Sequence, residues 1–385
     1  MTRFANRTGP IRLGMVGGGQ GAMIGAVHRI AARLDGTYDL VAGALSSTPE
    51  KAQASGLDLG LASDRIYDDF AKMAAREARL KDGIEAVAIV TPNHLHLPAA
   101  REFLKRGIHV ICDKPLTGTM ADARKLQDAV EKSDALFVLT HTYAGYPMVR
   151  EAADRVARGD LGDIRLVQIE YAQSWLSQET GPDNKQAAWR TDPARSGPGG
   201  ATGDIGTHAW HLAHHISGLH PEALAADLHS FVPGRQLDDN AHVMLRYAGG
   251  ARGMLWCSQV AAGQENNLRI RVFGTKAGLD WSQEDPNRLH VTPLEGPTSI
   301  ITRASAATGV NSQRLTRVPA GHPEGYFEAF ANIYGAAAQA IIAQRSGAPA
   351  PDSAPFPGIA DGMSGVRFVQ ACVDSSNRNS AWVKL

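Results

Sequence analysis

The chain has 385 residues, 43% of them hydrophobic, and its 39 Lys and Arg balance 39 Asp and Glu to a formal net charge of zero. That length supports two full cores, and the balanced charge excludes a basic nucleic-acid-binding surface and a single-sign tail. No apolar run reaches the roughly 20 residues of a membrane span, the opening MTRFANRTGP lacks the apolar core of a secretion signal, and three cysteines (Cys112, Cys257, Cys372) make no disulfide framework, so a cytoplasmic location is expected.

Residues 12–29 read RLGMVGGGQGAMIGAVHR. An apolar run, 13–16, stops in a cluster of glycines, and a helix-compatible segment, 23–34, follows at once. Strand, glycine turn and helix open a dinucleotide-binding unit. Glycine lets the turn tighten and the backbone approach a pyrophosphate, and the helix N-terminus offers its free N–H groups to that phosphate. Gly17 and Gly19 fit the first two positions of GxGxxG, Ala22 fits the third as a small residue, and Gln20 and Gly21 complete the loop.

The alternation continues. A strand at 38–45 leads to a short helix at 49–54 and a clear helix at 68–80. The fully apolar run 86–90 has the character of a strand buried on both faces. A helix at 96–106 is stopped by Gly107, the next strand is 108–112, a helix follows at 120–133, and 136–140 is counted as the sixth strand. Six strands alternating with helices imply a doubly wound parallel sheet, with a dinucleotide domain over 1–140. The rhythm then changes over 141–385. Residues 152–158 are helical, 164–173 alternates, a Pro- and Gly-bearing loop spans 177–203, and a helix follows near 207–216. Alternating runs at 223–231, 242–247, 251–259 and 268–273, with a hairpin turn at 247–251, indicate a mostly antiparallel sheet. A late helix at 324–343, a Pro-rich crossing at 348–357, a helix at 362–375 and a short strand at 381–385 close an α+β domain.

The second strand ends in Leu45-Ser46-Ser47-Thr48 with Lys51 close behind. A carboxylate there would accept from the ribose hydroxyls of NAD, whereas hydroxyls and a cation accommodate a 2′-phosphate, so the balance favours NADP over NAD. Thr91, Pro92, Asn93 and His96 follow the buried strand at its C-terminal end, the edge that faces the ligand crevice in open parallel sheets. Asp113 and Lys114 end the next strand on the same edge. A lysine there polarises a substrate oxygen or shares its proton. Cys112 reads as a packed strand residue.

In the second half, GGATGDIGTH at 199–208 puts Asp204 at the mouth of a helix and His208 about one turn in. Four-residue spacing brings the carboxylate toward the imidazole, which it would orient and make more basic, and a histidine so held suits the proton of an alcohol. A rival reading has Asp204, His208, His211 and His215 share a helical stripe that holds a metal. No cysteine cluster or HExxH supports it, and no metal is expected.

In combination, the glycine loop at 17–22, TPNHLH at 91–96, DKP at 113–115 and GDIGTH at 203–208 resemble the glucose-fructose oxidoreductase/inositol dehydrogenase/MocA dehydrogenases over almost the whole chain. The resemblance implies an NAD(P)-dependent oxidoreductase of cytoplasmic, homodimeric or homotetrameric type. It implies Lys114, Asp204 and His208 as the working trio, and a large open sheet used for substrate binding and subunit association. Trp175, the pair Trp189-Arg190 and GHPEGY at 321–326 resemble the branch of sugar-ring oxidoreductases that includes levoglucosan dehydrogenase. Aromatic rings suit the apolar faces of a pyranose, and Arg190 and His322 are placed to bond its hydroxyls. The sequence departs from the family at Met23-Ile24-Gly25, where many members move sooner to an Ala-His pair. It departs again at Tyr143-Ala144-Gly145-Tyr146, where many carry Tyr-Arg. Tyr143 is kept as a substrate contact. The expected reaction moves a hydride between nicotinamide and a secondary hydroxyl of a sugar, anhydrosugar or cyclitol. The alternatives are a non-catalytic NAD(P)-dependent regulator and an NAD-using glycoside hydrolase of related fold.

Overall fold

The computed structural model describes residues 8–179, 181, 184–349 and 356–385. The start of the chain (1–7), three positions of the 177–203 loop and most of the Pro-rich crossing (350–355) lie outside the described residues.

In chain order the elements are β1 (Ile11–Gly17), α1 (Met23–Leu34), β2 (Tyr38–Ala44), α2 (Pro49–Asp58), α3 (Phe70–Glu77), β3 (Ala86–Val90), α4 (His96–Leu104), β4 (His109–Cys112), α5 (Met120–Glu131) and β5 (Phe137–Leu139). They continue with α6 (Pro147–Ala157), β6 (Ile164–Ala172), the short α7 (Lys185–Arg190) and α8 (Pro193–Ser196), a π-helical turn (Thr202–Gly206) and α9 (Thr207–Ser217). The rest are β7 (Pro221–His229), β8 (Asn240–Tyr247), β9 (Arg252–Ser258), β10 (Asn267–Gly274), β11 (Ala277–Ser282), β12 (Arg288–Pro293), β13 (Ser299–Thr302), α10 (Val310–Arg314), α11 (Tyr326–Ser346), α12 (Ile359–Ser376) and β14 (Val383–Lys384).

These elements form two compact units. The first joins residues up to Thr117 and Ala121–Thr142 to Tyr326–Met363, so α11, read from sequence as part of the second domain, belongs with the first. Its sheet is parallel with order β2-β1-β3-β4-β5, five strands rather than the six expected. Between β2 and β3 the chain contributes only an isolated bridge, Gly43 to Ile66, too short to make a strand. All five residues of β3 are buried, as a central parallel strand covered on both faces requires. Helix α1 turns Val27, His28, Ala31 and Ala32 inward, and α11 brings Phe330, Ile333, Tyr334 and Ile341 into the same core. The alanines of α11, among them Ala331, Ala337 and Ala338, keep that surface low.

Two histidines in this core titrate with folding. Burial lowers the pKa of His28, and of His109 with a further push from Arg345, to about 4 from an ordinary 6.5. His109 accepts a hydrogen bond from Leu136 N through Nδ1, a role that requires an unprotonated nitrogen there. The unfolded chain takes up these protons below about pH 6.5 and the native state only below about 4. Each site therefore contributes no penalty above pH 6.5 and removes up to about 3 kcal/mol as the pH falls toward 4. Urea unfolding of the protein at pH 7 and pH 4.5 checks this, with a lower midpoint expected at the acid pH.

The second unit holds Tyr143–Gly325 and Ser364–Leu385. Its nine-stranded sheet has the order β13-β12-β11-β10-β6-β9-β8-β7-β14 and is antiparallel except for the β6–β9 pair. The expected α+β class with a large, mostly antiparallel sheet is what the chain adopts. The expected hairpin joins β8 and β9 through a turn at Ala248–Gly250. Sequence reading missed β11 and β12, whose short runs carry Gly, Pro and charged residues, and β13, which is only four residues long. Along β8 Ala241, Val243, Leu245 and Tyr247 are buried while His242, Met244 and Arg246 are not. Helices α6 and α9 pack on strands of this sheet and cover the buried side.

Candidate active site

In the first unit, the candidate cofactor residues line up along the C-terminal edge of the parallel sheet. The glycine turn leaves β1 through Gly17 and Gly18, both at positive φ (79° and 73°). Gly19 donates its N–H to Leu45 O at 3.2 Å, and a Cβ there would meet Leu45 O and Ser55 Oγ at 2.7 Å. A side chain on Gly21 would meet nothing within 4 Å, so open space lies above the turn. Ala22, the N-cap of α1, supplies no side-chain cap, which leaves the leading N–H groups of the helix to an anion. The hydroxyl of Thr91 at the end of β3 is buried without a hydrogen-bond partner. An uncapped helix start, an open cradle over glycine and an orphaned hydroxyl on the ligand edge fit a dinucleotide.

Other candidates on this edge are already engaged. Gln20 gives its N–H to Ser55 Oγ and its amide to Asp58 at 2.5 Å. Ser46 Oγ accepts from Thr48 N, closing a turn, while Ser47 is exposed and Lys51 half-buried. His96 is wholly buried, with Nδ1 2.8 Å from Pro115 O and Nε2 2.9 Å from Thr91 O. Burial lowers its pKa, so the neutral ring donates its single N–H to one of these carbonyls while the other nitrogen also lies against backbone. Asp113 Oδ1 accepts from Lys114 N at 2.9 Å and Thr140 Oγ1 at 3.0 Å. Lys114 itself is half-buried at the exit of β4. Pro92 is half-buried and Asn93 buried in the single turn that leads into α4.

In the second unit the site is built on the junction of the π-helical turn with α9. Asp204 lies in the turn and His208 in the first turn of α9. Asp204 Oδ2 accepts from Arg190 Nε and from Gln259 Nε2, each at 3.0 Å. The guanidinium of Arg190 also bonds Gln186 and lies over the ring of Trp189, 4.3 Å from its centroid, and 5.8 Å from that of Trp175. The His208 ring meets Tyr143 edge-on at 4.8 Å and lies 6.2 Å from Tyr171. The two phenol oxygens sit 2.5 Å apart, Tyr171 OH donates to Asn266, and Gln173 donates to the same oxygen. Burial raises the pKa of Tyr143 and the nearby Asp204 adds to it, while Tyr171 and Asn266 oppose it. The assembly is a carboxylate held by a cation and an amide, an imidazole against a phenol, and indole faces beside the cation, a set that can hold and pass a proton beside apolar ring faces.

The description "oxidoreductase family, NAD-binding Rossmann fold" matches residues 11–141, and "GFO/IDH/MocA C-terminal domain" matches 149–280. An uncharacterized oxidoreductase of Bacillus subtilis, YfiI, is 36% identical over 380 residues, 97% of each chain. The chain belongs to the Gfo/Idh/MocA oxidoreductases. Among solved structures, an oxidoreductase from Sinorhizobium meliloti is 60% identical with a TM-score of 0.89, covering 98% of this chain and all of that one. An inositol dehydrogenase homologue from Azotobacter vinelandii, complexed with NAD+, is 36% identical with a TM-score of 0.94 over the full length of both.

Several residues of this Gfo/Idh/MocA chain differ from their sequence-based expectation. Arg190, expected on sugar hydroxyls, has its Nε on Asp204 and one terminal nitrogen on Gln186, because the short α7 carries it onto the π-helical turn. Tyr143 is 4% exposed with its hydroxyl against Tyr171, so it backs the imidazole. His322 is exposed, and the motif that bears it is a clamp: buried Arg303 bonds Glu324 Oε1 and the backbone of Val318, Pro319 and His322. Trp175 is 40% exposed and free to meet a ring face. Sequence reading missed Gln259, Tyr171, Gln173 and Asn266, whose alternation in β6 and beside β9 and β10 signals a sheet and nothing more. His211 and His215 stack at 5.7 Å, but the described residues contain no group of His, Cys, Asp or Glu arranged for a metal.

The Asp204 contacts make a prediction. Arg190→Leu removes one charge-assisted bond worth about 1.5–3 kcal/mol, and turnover is expected to fall roughly ten- to a hundredfold. Arg190→Lys restores the charge without the planar fork and is expected to recover only part of it. Steady-state rates of the two variants check this.

Proposed function

We propose that the chain is an NAD(P)-dependent dehydrogenase acting on a secondary hydroxyl or keto group of a sugar, anhydrosugar or cyclitol. The observation that carries this reading is the Asp204 carboxylate, held one turn before His208 by Gln259 and by Arg190, whose guanidinium lies over the rings of Trp175 and Trp189. The Azotobacter vinelandii homologue, 35% identical, complexed with NADH and myo-inositol, supports the substrate class. In this reading His208 accepts the hydroxyl proton, Lys114 polarises the same oxygen and Asp204 orients the imidazole, and Lys114 and His208 can exchange the base role. When bound, the nicotinamide supplies the hydride acceptor or donor. Gly17, Gly19, Gly21 and Ala22 would hold the pyrophosphate, and Thr91, Asn93 and Asp113 would lie toward the nicotinamide.

NAD is the cofactor carried by the similar structures. NADP rests on Ser46, Ser47 and Lys51 alone, where no carboxylate stands at the end of β2. A panel of sugars, anhydrosugars and cyclitols assayed with each cofactor by nicotinamide absorbance tests the whole reading. Accumulation of NADH or NADPH with a ring substrate supports it. Tight NAD binding with hydrolysis and no net reduction would favour the glycoside hydrolase, and binding without turnover the regulator.

We also infer self-association through the uncovered face of the nine-stranded sheet. Met254 and Met244 pair in register there, Leu166 lies diagonally from Met254 through its own pairing with Arg252, and the three side chains are 45–54% exposed. A dimer or tetramer is expected in light scattering. The three thiols are buried and unpaired, in keeping with a reducing, cytoplasmic setting.

A further inference from the structure

One buried nitrogen in the first unit is left over by every role assigned so far. His28 on α1 is wholly buried, packed between the ring of Phe330 (5.0 Å between centroids) and the edge of Tyr334 (5.8 Å), both on α11. Its Nδ1 lies 2.8 Å from the hydroxyl of Tyr334. Its Nε2 has no hydrogen-bond partner and lies 3.9 Å from Asp113 Oδ1. That oxygen is the one that accepts from Lys114 N and Thr140 Oγ1.

A neutral imidazole carries one N–H, and the surroundings of His28 choose where. With the proton on Nδ1, the lone pair of Nε2 would face a carboxylate, and the phenolic proton of Tyr334 would need another acceptor in an apolar wall. With Tyr334 donating to Nδ1, the proton sits on Nε2 and points at Asp113. Burial supports the neutral ring: it outweighs the opposing pull of Asp113 and lowers the pKa to about 4, with Arg29 adding to it. At 3.9 Å the contact is an attraction between a dipole and a charge rather than a hydrogen bond. His96, the other buried histidine that senses Asp113, spends its nitrogens on backbone carbonyls.

We propose that Tyr334 and His28 form a positioning pair for Lys114: the phenol fixes the tautomer of His28, His28 fixes the carboxylate of Asp113, and Asp113 holds the Lys114 peptide. Helix α11 thereby reaches the reactive edge of a sheet that ended almost two hundred positions earlier, by the numbering of Leu139 and Tyr334. The catalytic consequence rests on the reading of Lys114 given above; the positional part does not.

The test uses the full chain with Tyr334→Phe and His28→Asn. The imidazole nitrogen shifts of His28 in a labelled sample report the tautomer. Acetic anhydride labelling followed by mass spectrometry reports the reactivity of Lys114, with the exposed Lys72 as an internal standard. Turnover is read on the best substrate of the panel. The parent is expected to carry its proton on Nε2. In both variants labelling of Lys114 is expected to rise at least threefold relative to Lys72, and turnover to fall about tenfold with KM and NAD affinity within twofold. Tyr334→Phe keeps the packing, so it decides the matter if His28→Asn does not fold. A proton on Nδ1 in the parent, or unchanged labelling in Tyr334→Phe, overturns the proposal. Faster labelling with unchanged turnover supports the positioning pair and instead removes Lys114 from the chemistry.

Discussion

Replacing Lys114 with alanine is expected to lower turnover by about 10²–10⁴-fold, the range a positioned proton-transfer or polarising group supplies, while NAD binding stays within a few-fold. The lysine side chain is half-buried at the exit of β4, and its peptide is anchored through Asp113 to Thr140 at the end of β5. Alanine preserves that backbone anchor, because the bond to Asp113 uses the main-chain N–H. The loss therefore falls on turnover and not on the loop. Single-turnover absorbance measurements with saturating NAD separate the two, and a variant that turned over at the parent rate would end the assignment. Lys114→Arg keeps the charge but enlarges the head group, and is expected to recover little, since a guanidinium does not release its proton near neutrality.

The second large effect is expected at Gly25. A Cβ added there would lie 2.5 Å from the Gly18 carbonyl oxygen, and one added at Gly18 would lie 2.9 Å from the Gly25 α-carbon. Both partners are backbone, so no rotamer relieves the contact. Helix and glycine turn must move apart, and the bond from Arg29 to Gly18 O, 2.7 Å long, moves with them. Gly25→Ala is expected to cost about 1–3 kcal/mol through overpacking and to weaken NAD binding at least tenfold, roughly 1.4 kcal/mol. Calorimetric unfolding and fluorescence titration with NAD read the two losses. Gly21→Ala is the contrast: its Cβ meets no protein atom within 4 Å, so no packing is disturbed, and the cost is the roughly 1–2 kcal/mol of placing alanine at a φ of +76° together with a hindered approach of the pyrophosphate. Unchanged NAD affinity in Gly25→Ala would refute the close-packing role.

This pair also shows where the reading of a motif stops. Gly17, Gly19 and Ala22 fit the spacing of the glycine fingerprint, and the structure adds that Gly18 and Gly25 set the distance between turn and helix. From sequence, Met23-Ile24-Gly25 is a departure from the family, where many members move sooner to an Ala-His pair. In the fold it is the start of α1, with Met23 64% exposed and Gly25 buried against the turn. Arg190 teaches the same lesson in reverse. A cation beside two tryptophans suits a sugar, yet a six-residue helix is enough to bring it onto Asp204.

The sequence by itself determined the two-part architecture, the parallel sheet, and the placing of the glycine turn and of Thr91 and Asp113 at the C-terminal ends of its strands. It did so because strand burial, helix period and glycine turns are local properties, written over five to twenty consecutive residues. Only the tertiary structure decided that α11 returns to the first unit to place Tyr334 on His28, that Gln259 and Arg190 share an oxygen of Asp204, and that Tyr143, its hydroxyl against that of Tyr171, lays its ring on the imidazole of His208. Those partners stand 14 to 306 positions apart. A hydrogen bond across such a separation leaves no periodic trace in the chain, since its geometry comes from the packing of whole elements against one another.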